Sequence, residues 1–234
     1  MYVALRRAAR RSAREVSRNR VGIALRLLFP IALLEIALWA PMPAGVLFGV
    51  AALWYITWQL RSATSTLRTL GLDLRCLLRG TWLMATTLAI AVAILATSYF
   101  SGSLHRLWGL HHPLYAIAAY AVWAFIQEFM LQCFCMRMLR ALVSRISALL
   151  LSGVVFAVAH LPNPSLTFVT FFAGVGFTAI YTRKRNLYLV AAMHAVLGLT
   201  LSVSAPDTWF HQLRVGRDFL QGQAPLAATL PPQR

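Results

Sequence analysis

The chain has 234 residues, of which 59% are hydrophobic and only 12% charged. A soluble domain carries about a quarter charged residues, so the composition excludes an ordinary soluble enzyme and points to an all-α integral membrane protein. The formal charge is +16, but the basic residues gather at the N-terminus and in short gaps between apolar runs. That placement argues against nucleic acid as a partner and for topology setting at a lipid bilayer.

Arg6, Arg7, Arg10, Arg11, Arg14, Arg18 and Arg20 make residues 1–20 a basic cytoplasmic tail. The next apolar run is as long as a full span and has no A-x-A site, so it does not read as a cleaved signal. Span one is expected over Val21–Ala40. It holds Arg26, which snorkels to the inner surface, and Glu35, too far along the helix to pair with it. Pro41 and Pro43 turn the chain into span two, Ala44–Leu60. Residues 61–80 carry Arg61, Arg68, Arg75 and Arg79 and read as an inner interfacial segment. Span three is expected over Thr81–Phe100, followed by an outer loop with His105, His111 and His112. Loop histidines of this kind are usually only solvated.

Span four is expected over Pro113–Phe134, then a gap with Arg137, Arg140 and Arg145. Span five covers Ser147–Leu161 and stops at Pro162 and Pro164; at about 15 residues it falls short of the ~20 a span needs. Span six covers Ser165–Tyr181, then Arg183, Lys184 and Arg185. Span seven covers Leu187–Ser204, and 205–234 is an extracytoplasmic tail with Trp209 and Phe210 as interfacial anchors. With the N-terminus inside, every inner gap is basic and every outer gap nearly bare, which sets the orientation. Gly174, Gly176 and the Ala191-x-x-x-Ala195 pair are expected to face inward, because small residues let helices approach closely in lipid. Arginine outnumbers lysine 21 to 1, which reads as codon bias, and the expected setting is a bacterial inner membrane. Cys76, Cys133 and Cys135 form no C-x-x-C pair, so neither a disulfide framework nor a zinc–thiolate site follows.

The chemistry lies in Trp123–Cys135, W-A-F-I-Q-E-F-M-L-Q-C-F-C. A carboxylate in an apolar segment is expensive and marks a functional site by default. Glu128 and Gln132 are four apart and share a helix face; Gln127 points about 100° away. Two later spans offer partners, His160 at the end of F-A-V-A-H and His194 in A-A-M-H-A. A lone histidine in a span is often only an interhelical hydrogen-bonder. Glu128, His160 and His194 are, however, the only ionisable groups in spans four to seven apart from Tyr and Cys.

The ordered set Q-E-x-x-x-Q at 127–132, F-x-x-x-H at 156–160 and a later intramembrane His at 194 resembles the CAAX protease and bacteriocin-processing family, over roughly residues 115–204. The family pattern is E-E-x-x-x-R, F-x-x-x-H and H-x-x-x-N. Phe156 and His160 match. The family's first glutamate falls on Gln127, its second on Glu128, its arginine on Gln132 and its asparagine on Gly198. The resemblance implies an intramembrane glutamic endopeptidase that cleaves a membrane-anchored protein or peptide. Glu128, His160 and His194 are then the catalytic candidates, with Gln127, Gln132, Phe156, Asn163 and Gly198 in support. A glutamine cannot take a proton from water, so Glu128 is the expected base, with Asn163 a candidate oxyanion donor in place of the missing asparagine. No cofactor is expected; the alternative is a divalent metal such as zinc at His160 and His194. The competing functions are a catalytically silent relative acting as a membrane partner or sorting factor, and a two-histidine haem or metal carrier.

Overall fold

Long apolar runs leave the backbone no polar partners outside the segment, so in lipid they must close their own hydrogen bonds as helices. A computed structural model of the chain describes residues 2–62, 66–73, 75, 78, 80–104 and 113–222, and among these there is helix and no strand. The long helices are α1 (Tyr2–Trp39), α2 (Ala44–Ser62), α3 (Thr81–Phe100), α4 (Pro113–Glu128), α6 (Arg145–Val158), α7 (Pro164–Lys184) and α8 (Leu187–Ser204). A π-helical stretch, Phe129–Cys135, and α5 (Met136–Leu142) continue α4 without a break. Two short helices, α9 (Asp207–Phe210) and α10 (Gly216–Gly222), close the described chain. The basic tail is not separate from span one, since α1 runs on from Tyr2. The His105, His111 and His112 cluster, Cys76 and residues 223–234 lie outside the described residues.

Among the described residues five helical stretches are long and apolar enough to cross a membrane: Asn19–Trp39, Thr81–Phe100, Leu114–Leu142, Pro164–Lys184 and Leu187–Ser204. The expected seven is therefore not reached on length and composition. Helix α6 has 14 residues, a rise of about 21 Å against a hydrocarbon core of ~30 Å. The protein is a multi-pass membrane protein of the helical class.

Contacts fix how the passes run. The 66–73 loop is pinned to the α7–α8 turn: Leu187 N donates to Gly71 O (3.0 Å) and the Tyr181 hydroxyl to Leu70 O (3.1 Å). The Tyr188 hydroxyl donates to Leu72 O (3.1 Å). These segments share one face of the bundle, the face toward which Arg140, Arg145 and Lys184 also lie at the ends of α5, α6 and α7. On the opposite face, Asn163 after α6 donates to Phe210 O (2.7 Å) and Arg214 O (3.1 Å), and Gly216 N donates to Leu161 O (2.7 Å). Residues 205–222 are thus a folded cap over the α6–α7 turn, where the sequence reads only a tail.

Small residues set the tightest approach. A Cβ on Gly174 would stand 2.9 Å from Phe156 Cβ and 3.1 Å from Gly153 Cα; one on Gly153 would stand 2.7 Å from Phe171 O. This α6–α7 contact seats Phe156. Gly176 corrects the expectation, because a Cβ there would meet nothing within 4 Å. Ala191 and Ala195 are buried, as expected.

Candidate active site

Glu128 ends the regular α4 and is fully buried. Both its oxygens are engaged. Gln132 Nε2 donates to Oε2 (2.9 Å), and His194 Nδ1 lies 3.0 Å from Oε1. A buried carboxylate without such partners would be strongly disfavoured. The π-helical stretch begins at the next residue, and all of it from Met130 to Cys135 is buried. Such widened turns gather at functional sites. Here the turn re-phases the helix directly below the carboxylate.

His194 sits in a sleeve of aromatic rings. Phe177 stacks on it (5.6 Å, 18°), while Phe156 (5.4 Å) and Tyr120 (6.4 Å) meet it edge-on. The Phe156 ring also touches His160 (4.9 Å), so it lies against both imidazoles. His160 Nδ1 is 2.6 Å from Phe156 O. A carbonyl only accepts, so His160 Nδ1 carries the hydrogen and Nε2 is the free nitrogen of that ring.

These groups border a cavity of about 860 Å³. Its wall includes Gln127, Phe156, His160, His194, Gly198 and Tyr120. Helix α6 stops short, so His160 reaches this cavity from the chain break at 159–163. Broken backbone at membrane depth survives only where protein or a cavity surrounds it, and the 205–222 cap supplies protein there. Leu213, Val215, Arg217 and Asp218 of that cap line the same cavity.

Glu128 is not part of the cavity wall, whereas Gln127 is. The Glu128 oxygens face Gln132 and His194. Asn163 is engaged on both sides of its amide. Its side chain caps α7 by accepting from Leu166 N (3.1 Å), and its amide hydrogens go to the cap carbonyls. It is fully buried and outside the cavity wall, with no donor left for an oxyanion. Two wall residues were not candidates in the sequence: Glu35 of α1, noted there only as a span-one carboxylate, and Tyr120 of α4. Among the described residues no three His, Cys, Asp or Glu side chains group as a metal site.

Residues 109–200 match the family model described as type II CAAX prenyl endopeptidase, Rce1-like. The matched stretch covers Glu128, His160, His194 and Gly198, so the resemblance carried by the motifs is borne out over this region. No curated protein and no solved structure matches the chain.

Proposed function

We infer that this chain, which carries an Rce1-like domain over residues 109–200, is an intramembrane endopeptidase that cleaves a membrane-anchored protein or peptide. The observation that carries the reading is the Glu128–His194 pair at 3.0 Å beside a cavity that His160 shares. His194 is the general base and Glu128 its positioning residue. The carboxylate holds Nδ1–H and so presents Nε2 to the cavity, and it stabilises the imidazolium that forms. Nε2 takes a proton from water, and the hydroxide attacks the scissile carbonyl. The tetrahedral intermediate then expels the amine, which receives that proton from His194. A peptide and a water become an acid and an amine. His160 Nε2 accepts a hydrogen bond from the water and orients it. The expected setting is a bacterial inner membrane.

Gln127 on the cavity wall favours the competing reading, a silent relative, because the family's base position holds an amide. One assay separates the two. Purified protein is reconstituted with a panel of peptides ending in a prenylated or free Cys-aliphatic-aliphatic-X sequence, together with membrane-anchored peptides of other sequence. Wild type should cleave at least one of them. His194→Ala and Glu128→Gln should each lower kcat by about 10²–10⁴, the usual contribution of general acid–base catalysis. An inert wild type favours the silent relative. Full activity in Glu128→Gln removes the dyad.

A further inference from the structure

One polar group on the cavity wall has no part in the scheme above. Tyr120 lies on the same face of α4 as Gln127, seven residues or two turns away, and both line the cavity. Its ring meets His194 edge-on at 6.4 Å and 82°. Its hydroxyl occupies the space that a side chain at position 198 would fill: a Cβ on Gly198 would overlap the Tyr120 hydroxyl and stand 2.7 Å from Cζ. Gly198 is therefore the room this phenol requires. Position 198 lies about one turn beyond His194 on the same face of α8, a rise of about 6 Å. The hydroxyl makes no hydrogen bond to another described residue.

We propose that Tyr120 is a further catalytic residue, whose O–H donates a hydrogen bond to the substrate carbonyl oxygen as that oxygen becomes an oxyanion. The proposal rests on the endopeptidase reading of the same cavity. Attack by hydroxide moves the carbonyl π pair onto oxygen. Tyr120 keeps its proton throughout, and its hydrogen bond strengthens while the charge is present. When the intermediate collapses the pair returns to the carbonyl, and the amine leaves with the proton held on His194. The separation of one helical turn between the base and the donor leaves room for a carbonyl group between them. A donor aimed at developing charge in a water-poor site is worth far more than in bulk water. The amide lost at position 198 is thus replaced from α4, on the opposite wall.

Tyr120→Phe tests this, because it removes the hydroxyl and keeps the packing ring. In the reconstituted peptide assay its kcat should fall about 10²–10³-fold with KM unchanged and with the thermal unfolding of wild type. Tyr120→Ala with Gly198→Asn places an amide donor in the vacated room, and it should recover activity over Tyr120→Ala alone. A Tyr120→Phe enzyme with wild-type kcat, or a loss seen wholly in KM, overturns the proposal while the His194→Ala loss keeps the endopeptidase reading. Failure of the double variant to improve on Tyr120→Ala also counts against it. A wild type inert toward the whole peptide panel overturns both together.

Discussion

At the scale of single residues, neighbours 127 and 128 divide the roles that position alone would not assign. Residues 128 and 132 share a helix face, so their hydrogen bond was legible in the sequence. That Glu128 turns both oxygens inward was not, because it depends on where α8 lies. The partners of Asn163 were hidden for a related reason: an asparagine before a proline reads equally well as an N-cap and as a free donor, and its bonds to Phe210 O and Arg214 O depend on where the cap lies. Tyr120 gave no signal, since a tyrosine in an apolar helix is commonplace. Gln127 now yields a sharp expectation. Its amide borders the cavity but has no proton-accepting oxygen of useful basicity. A carboxylate there would reach water directly, so Gln127→Glu should raise kcat, by up to about 10²-fold. Steady-state kinetics on a peptide cleaved by wild type would measure it. Unchanged or lower kcat would mean that position 127 does not overlie the reacting atoms.

At the scale of elements, most helix bounds followed from the apolar runs and the proline stops within a few residues, but α1 already starts at Tyr2, the α4 rod runs on to Leu142, and α9 and α10 had no counterpart. Two further features had no full signal. The π-helical Phe129–Cys135 has the composition of any buried helix, so no residue type announces it. The α6–α7 contact was half legible: Gly174 and Gly176 are equally small, and which one faces α6 depends on the helix phase. That difference is testable. Gly174→Ala would drive a methyl onto Phe156 Cβ, with Gly153 Cα immediately behind it. Overpacking of this kind costs about 1–3 kcal/mol, and it would also push Phe156 against the two histidines. Gly176→Ala meets open space and should stabilise the helix by roughly 0.5–1 kcal/mol. Unfolding in detergent followed by circular dichroism would rank the pair. Equal effects would mean that the close approach at Gly174 does not hold up the bundle.

At the scale of the whole molecule, the contacts say more about the path than helix length does. Helix α2 ends at Ser62, and the loop after it is pinned by Leu70, Gly71 and Leu72 to the α7–α8 turn. Helix α2 therefore returns the chain to the face from which the apolar part of α1 started. Helix α6 is short, yet its far end is tied through Leu161 and Asn163 to the cap that follows α8. A Cβ on Gly216 of that cap would also meet Leu38 near the end of α1. Ends that share a cap share a face, so the far end of α6 lies on the side of the cap although the rise of α6 is only about 21 Å. Among the described residues five stretches meet the length and hydropathy of a full span, and the side on which each turn lies is the measurable quantity. Reporter fusions after Arg20, Gln59, Arg140 and Lys184 should report one side, and fusions after Asn163 and Gln223 the other. The charge skew adds that the first side is cytoplasmic. If α6 were merely a surface hairpin with α7, the Asn163 fusion would report the same side as Arg140. The cap after α8 could not then reach the Asn163 side chain, and the cavity holding His160 would have no closed end.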